Sequence, residues 1–66
     1  MQQINYNEYI EVDPEVRVGK PVIKDTRIAV DDVLQWVANG MSYNQIMIDF
    51  PQLNDAQILA CLRFEN

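Results

Sequence analysis

The feature that most constrains this chain is a helix-start signal that occurs twice. Ser42 is followed three residues later by Gln45, and Asn54 is followed at the same spacing by Gln57. In such a capping box, the first side chain accepts a hydrogen bond from the later backbone N–H, and the later side chain accepts one from the first N–H. Pro51 lies between the two starts and must end the earlier helix. Two helices joined by so short a turn cross closely, as in a helix-turn-helix.

Apolar residues around the two starts favour the same arrangement. Met41 precedes the first cap, and Ile46 stands at the fourth helical position, where the pair can form a hydrophobic staple. Leu53 and Ile58 repeat this spacing at the second cap. We expect Phe50 and Leu53 to fill the crossing between the helices.

A further helix is predicted before these two. Two aspartates stand in its opening turn, where the helix dipole favours negative charge, and Gly40 follows its end, where a left-handed cap is needed. Its apolar residues recur at i, i+3, i+4 and i+7, which predicts one buried face. They are Val30, Val33, Leu34 and Val37.

Trp36 falls beside this apolar stripe and has two interpretations. It either flanks the core or anchors an interface. Large aromatic side chains are more often packed than functional, so we favour the core edge, completed by a second subunit.

Short strands and turns are predicted before residue 30. Ile10 and Val12 run into the turn dipeptide Asp13-Pro14, and residues 16–18 alternate apolar and charged as a half-buried strand would. Val22-Ile23 is a β-branched pair that favours a second strand. Because an isolated two-stranded ribbon is marginally stable, this arm must lie against the helices or pair with a second copy.

The chain is short enough to hold only one domain, residues 1–66. We divide it into a β arm or hairpin (1–29) and a three-helix bundle (30–66), with the helix-turn-helix at 42–65, and place it in the mainly α class. A lone core of this size is only marginally stable, so we expect a homodimer or a partner complex.

The residue types argue against catalysis. The chain has no histidine. Its single cysteine, Cys61, lies among apolar residues in the sequence, so we expect it to be buried. Its aspartates form no recognised metal-ligand loop. We therefore expect no enzymatic activity, no cofactor and no metal.

The same sequence favours a cytoplasmic protein. No basic-then-apolar leader is present, and no apolar run approaches the ~18 residues of a membrane span. A lone cysteine is typical of a reducing compartment. We expect no membrane partner.

Charge is distributed unevenly along the chain. Segment 17–27, called the basic segment below, holds four basic residues and one acid for a net +3, whereas the rest holds nine acids and one base for −8, which sums to −5. This segment either meets phosphates or an acidic partner, or keeps exposed strand edges soluble. Its basic residues are Arg17, Lys20, Lys24 and Arg27.

Several of these segments together resemble the family catalogued as domain of unknown function 433. The family pattern reads G-K-P-x-I-K-G-T-R-I, then a helix, an A-x-G-x-S step, an aromatic-Pro-x-Leu turn and a final helix. The resemblance covers nearly the whole chain. The matching residues are Asp13-Pro14, Gly19 to Ile28, Val30, Gly40-Met41-Ser42, Phe50-Pro51, Leu53, Ile58 and Ala60.

Two residues depart from this pattern. Val18 stands where a second glycine is frequent, and Asp25 replaces the glycine of G-T-R. Aspartate tolerates the left-handed turn conformation better than most residues, so the departures affect local turn geometry more than the fold.

The resemblance implies a homeodomain-like or winged-helix-like three-helix bundle with an N-terminal β arm, and some family members look like antitoxins paired with nuclease-type toxins of the PIN kind. It also points to Lys20, Lys24, Thr26 and Arg27 as candidate binding residues of the arm. The structural alternative is that Thr26 and Arg27 fix the arm through local hydrogen bonds and an ion pair to Asp31 or Asp32.

Two functions remain. The first is an antitoxin-like regulator that holds a protein toxin and binds DNA as a dimer, with Asp55, Gln57 and Arg63 on a recognition helix in the major groove. The second is a protein-interaction or dimerisation module that does not bind nucleic acid. The fold favours DNA, whereas a sequence pI near 4.2 favours protein partners.

Overall fold

The computed structural model describes residues 6–65, and it has three helices and a two-stranded antiparallel hairpin near the N-terminus. The predicted mainly helical class is confirmed, while residues 1–5 of the predicted arm lie outside the described residues. The strands are β1 (Ile10–Val12) and β2 (Pro21–Ile23), and the helices are α1 (Val30–Ala38), α2 (Tyr43–Asp49) and α3 (Asp55–Glu65). A single turn of 3₁₀ helix lies at Tyr6–Glu8, and a tight turn at Arg17–Gly19 precedes β2.

The hairpin is joined directly to the helices. Ile10 lies opposite Ile23 in the antiparallel register. On the other side of β2, Val22 forms a bridge with Ala29, and the Ile23 N–H donates to the Ile28 carbonyl at 2.9 Å. Strand β2 is therefore central, and the residue that precedes α1 continues the sheet. The short arm is stable because its buried face lies on the helices.

The strand predicted at residues 16–18 is wrong. Arg17, Val18 and Gly19 form a tight turn with successive φ angles of 51°, 58° and 79°. The chain turns earlier, where the Asp13 carbonyl accepts the Val16 N–H at 2.9 Å. Val18 is 94% exposed, so the apolar and charged alternation reflects no buried face.

The starts of α2 and α3 are capped by different sets of hydrogen bonds. At α3 the predicted capping box is complete, because Gln57 N–H donates to Asn54 Oδ1 at 2.9 Å and Asn54 N–H donates to Gln57 Oε1 at 2.8 Å. At α2 only half of it forms: Ser42 Oγ accepts the Gln45 N–H at 3.1 Å, while the Gln45 amide donates to Asp49 at 3.1 Å. The two boxes predicted from the same spacing therefore differ.

The core lies between β2 and the three helices. α1 packs mainly on α3, and the fully buried side chains include Ile23, Val33, Ile46 and Ile58. Leu53 is 4% exposed in the turn between α2 and α3, which confirms its predicted position at the crossing.

Aromatic side chains close one edge of this core. The rings of Trp36 and Phe50 stack with centroids 4.4 Å apart and an interplanar angle of 14°. Both are half-buried and pack against the core. Trp36 thus lies at a core edge, and its role as an interface anchor stays a prediction.

Candidate binding surface

The basic segment is partly neutralised by the first turn of α1. Arg17 Nη1 lies 3.0 Å from Asp32 Oδ2, and Lys20 Nζ lies 3.9 Å from Asp31 Oδ2. The prediction that Arg27 pairs with one of these aspartates is wrong. The turn at residues 17–19 lies over the start of α1. It therefore places the guanidinium of Arg17, and not that of Arg27, next to the carboxylate of Asp32.

Arg17 also joins three parts of the chain. Its Nη1 donates to the Arg27 carbonyl at 3.0 Å as well as to Asp32. The same Asp32 oxygen accepts the Ala29 N–H at 3.1 Å, so it caps a helix whose N-cap residue, alanine, has no side-chain acceptor. The Arg17 side chain thus connects the loop before β2 with the turn after β2, through the Arg27 carbonyl, and with the start of α1, through Asp32.

Thr26 is occupied by backbone groups. Its Oγ1 donates to the Ile23 carbonyl at 2.8 Å and accepts the Ile28 N–H at 3.0 Å. The neighbouring Asp25 has a φ of 65°, the conformation that the glycine of the family pattern adopts readily. These contacts agree with the structural interpretation of Thr26, because they close the turn between β2 and α1.

Among the candidate arm residues, Lys24 and Arg27 are the two whose charges form no ion pair in the described chain. Both are exposed, and within residues 6–65 neither side chain makes a hydrogen bond or an ion pair. The exposed carboxylate of Asp25 lies between them in the chain. Of the four cations predicted from the sequence, two thus remain free to meet a partner.

The candidate recognition helix presents little polar surface. Asp55 and Arg63 are exposed, but they are eight residues apart, about 12 Å along the axis. Gln57 is half-buried and its side-chain oxygen is used by the capping box. Among the described side chains of this helix, Arg63 is the exposed cation and Asp55 the exposed anion, and the two lie far apart.

Sequence reasoning missed a different feature, the exposed apolar side chains. Within the described chain, the large ones are Val12 at 59% exposed, Val18 at 94% and Ile48 at 70%. Val12 and Val18 lie at the same end of the hairpin, whereas Ile48 is on α2. The signal in the sequence was Val18 itself, at a position where the family pattern favours glycine.

Cys61 offers no reactive group. It is fully buried, and desolvation raises the pKa of its thiol from the usual 9.0 to about 12. A thiol of this kind is almost entirely protonated at neutral pH and is a poor nucleophile.

In the part of the chain that the structure describes, no three acidic, cysteine or histidine side chains are grouped to hold a metal ion, and no helix is long and apolar enough to cross a membrane.

Comparison with known proteins places this geometry in a family. Residues 10–64 match the model of the family DUF433, described as a protein of unknown function. The chain belongs to the DUF433 family. Its fold is similar to that of a DUF433 member protein from Anabaena variabilis ATCC 29413, with a TM-score of 0.81 at 23% sequence identity. The match covers 91% of this chain and 63% of the other, so this chain spans less than two thirds of that protein. No curated protein matches.

Residues 19–28, on which the resemblance in the sequence mainly rests, span β2 and the turns on either side of it. Gly19 takes a φ of 79° before the strand, and Thr26 bonds the backbone after it. Both residues act on backbone geometry in this member. The charged residues of this segment are all exposed: Lys20, Lys24, Asp25 and Arg27.

Proposed function

We propose that this DUF433 member is a non-catalytic domain that binds a basic protein partner, in the manner of an antitoxin that holds a nuclease-type toxin. The observation that carries the proposal is the pairing of Arg17 and Lys20 with the aspartates of α1. Arg17 is held closely at 3.0 Å, whereas the exposed pair of Lys20 and Asp31 at 3.9 Å is weak, and each pair sums to zero net charge. The exposed acids without an ion pair in the described chain outnumber the free cations: they are Glu8, Glu11, Glu15, Asp25, Asp49 and Asp55.

The inventory of reactive groups supports the absence of catalysis. The sequence has no histidine, and its one thiol is buried with a raised pKa. General acid–base or nucleophilic chemistry near neutral pH would have to rest on carboxylates alone. A binding role needs none of these groups.

The short turn that joins α2 and α3 favours a DNA-binding alternative, in which the two helices act as a helix-turn-helix. DNA affinity depends mainly on the number of phosphates that lysine and arginine neutralise. The free cations in the described chain are Lys24, Arg27 and Arg63, and the exposed acids outnumber them. The charge balance therefore supports a protein partner over DNA.

Affinity capture from the native cell lysate, with and without nuclease, tests the class of partner. We expect a nuclease-resistant protein with a basic pI, identified by mass spectrometry. The purified partner is then titrated against two charge-reversal variants, Asp49→Lys/Asp55→Lys and Glu11→Lys/Glu15→Lys, with Lys24→Ala/Arg27→Ala as the control. Loss of binding in at least one reversal variant, with binding kept in the control, supports the proposal.

Other outcomes of this experiment contradict it. Recovery of DNA that disappears with nuclease, together with loss in the Lys24→Ala/Arg27→Ala variant, would establish the DNA-binding function instead. A protein partner that binds both reversal variants as tightly as the parent would remove the electrostatic basis of the proposal. Circular dichroism of each variant checks that the fold is kept.

The domain is also proposed to act as a cytoplasmic homodimer. A core of 66 residues is marginal alone, which supports the dimer, and a single cysteine outside any disulfide supports the compartment. Sedimentation equilibrium at micromolar concentration measures the oligomeric state. A mass of 7.7 kDa throughout would contradict the dimer.

A further inference from the structure

Two exposed valines lie at the end of the hairpin that is nearest to the start of α1. Val12 is the last residue of β1 and is 59% exposed, and Val18 stands in the turn before β2 and is 94% exposed. We call residues 12–18 the valine loop. A side chain as exposed as Val18 packs on almost nothing in its own chain, so hydrophobic burial within the domain does not explain it.

The backbone makes valine a costly choice at this position. Val18 has φ 58° and ψ 39°, the left-handed region that disfavours β-branched residues most. Glycine adopts this conformation without strain. An exposed side chain kept at a strained position points to a role outside folding.

The loop that carries Val18 is held in place. Arg17 is fixed by Asp32 and by the Arg27 carbonyl, and Asp13 closes the preceding turn through its carbonyl and through Oδ1, which accepts the Glu15 N–H at 2.9 Å. A loop fixed before binding loses little conformational entropy when it binds.

Charges around the loop define the partner surface. Glu11 and Glu15 are exposed, and the guanidinium of Arg17 lies on Asp32. Lys20, two residues after Val18, is exposed and lies 3.9 Å from Asp31. The loop therefore presents apolar side chains among negative charges. Its complement is an apolar pocket surrounded by lysine or arginine side chains.

We propose that the valine loop is the contact element through which this domain binds its protein partner, with Val18 inserted into an apolar pocket on a basic surface of that partner. This inference rests on the proposed function and names the element that carries it. Val12, the last residue of β1, begins the same loop.

The test uses three variants of the full chain. Val18→Asp places a charge in the pocket, Val18→Gly removes the side chain and relieves the backbone, and Ile48→Asp is the control because Ile48 is 70% exposed on α2. The probe is the purified protein captured by the parent chain in the lysate experiment, titrated by calorimetry. We expect Val18→Gly to weaken binding about tenfold to hundredfold, Val18→Asp to weaken it further, and Ile48→Asp to leave it unchanged.

Val18→Gly separates binding from stability. We expect this variant to melt at a higher temperature than the parent while it binds more weakly, which a purely structural role for Val18 does not predict. Parent-like affinity in both Val18 variants would overturn the inference and leave the proposed function standing. Failure of the parent chain to capture any basic protein would overturn both.

Discussion

The guanidinium of Arg17 lies 3.0 Å from the carboxylate of Asp32 and thereby joins the arm to the first turn of α1. The two residues are fifteen positions apart in the chain. The same Asp32 oxygen accepts the Ala29 N–H, so one carboxylate both caps the helix and holds the arm on it. The geometry of the arm and the stability of α1 are therefore coupled.

A double-mutant cycle measures this coupling. We expect Arg17→Ala to reduce the free energy of unfolding by about 1 kcal/mol and Asp32→Ala by about 1–2 kcal/mol, since the latter also removes the cap. The double variant should lose about 0.5–1 kcal/mol less than the sum, because each single change removes the same interaction. Urea unfolding provides all four values.

The matched control is the cycle of Lys20→Ala with Asp31→Ala. Their charged atoms are 3.9 Å apart and their side chains are 54% and 65% exposed, so the coupling should be close to zero. Equal coupling energies in the two cycles would show that Arg17 and Asp32 form an ordinary surface pair.

The Thr26 hydroxyl is expected to act on stability. Thr26→Val removes a donor to the Ile23 carbonyl and an acceptor for the Ile28 N–H, at a cost of about 1–2 kcal/mol. Thr26→Ser keeps both bonds and should lie within about 0.5 kcal/mol of the parent. If thermal denaturation shows both variants as stable as the parent while Thr26→Val loses its partner, Thr26 belongs to the binding surface instead.

The two glutamines of the predicted capping boxes should differ. Gln57→Ala breaks the reciprocal bond to Asn54 and should destabilise the domain by about 1 kcal/mol. Gln45→Ala removes only an exposed bond to Asp49 and should cost less than about 0.5 kcal/mol. The comparison is made by urea unfolding, and a larger effect at Gln45 would contradict the assigned hydrogen bonds.

Glycine is expected to stabilise the two positions that depart from the family pattern, to different extents. Val18→Gly should raise the free energy of unfolding by about 1 kcal/mol, because valine is strained at a φ of 58°. Asp25→Gly should gain less than about 0.5 kcal/mol, because aspartate tolerates its φ of 65° better. Melting temperatures measured by calorimetry test whether Val18→Gly stabilises the domain more than Asp25→Gly does. A Val18→Gly variant less stable than the parent would show that the backbone at Val18 is not strained.

Burial of Cys61 predicts a loss of stability at high pH. Its thiol has a pKa of about 12 in the folded protein and 9.0 as its usual value, so the folded state retains the proton that the unfolded state releases. This contribution to stability is complete below about pH 9 and is lost as the pH rises towards 12. Urea unfolding between pH 8 and about 11 should show the decline.

Cys61→Ala is the control for this pH dependence. It lacks the ionisable thiol, so its stability should fall less steeply above pH 9 than that of the parent. Parallel pH profiles for the two proteins would show that other groups cause the loss.

Local sequence signals determined the helices of this protein. Asn54 and Gln57 cap α3 as their spacing predicts, and Gly40 follows α1 with a φ of 94°. These features were predictable because a cap or a left-handed terminus depends on residues within one turn of each other. The short strand at Val22-Ile23 was found for the same reason, since its β-branched residues lie between turn signals.

Only the tertiary structure decided which side chains remain available to a partner. The sequence contains four basic residues between 17 and 27 with no indication that Arg17, and not Arg27, would reach Asp32. That choice depends on the left-handed turn at residues 17–19, which folds one guanidinium over α1 and leaves Val18 in solvent. Contacts between residues far apart in the chain depend on the path of the backbone between them, and local propensity does not specify that path.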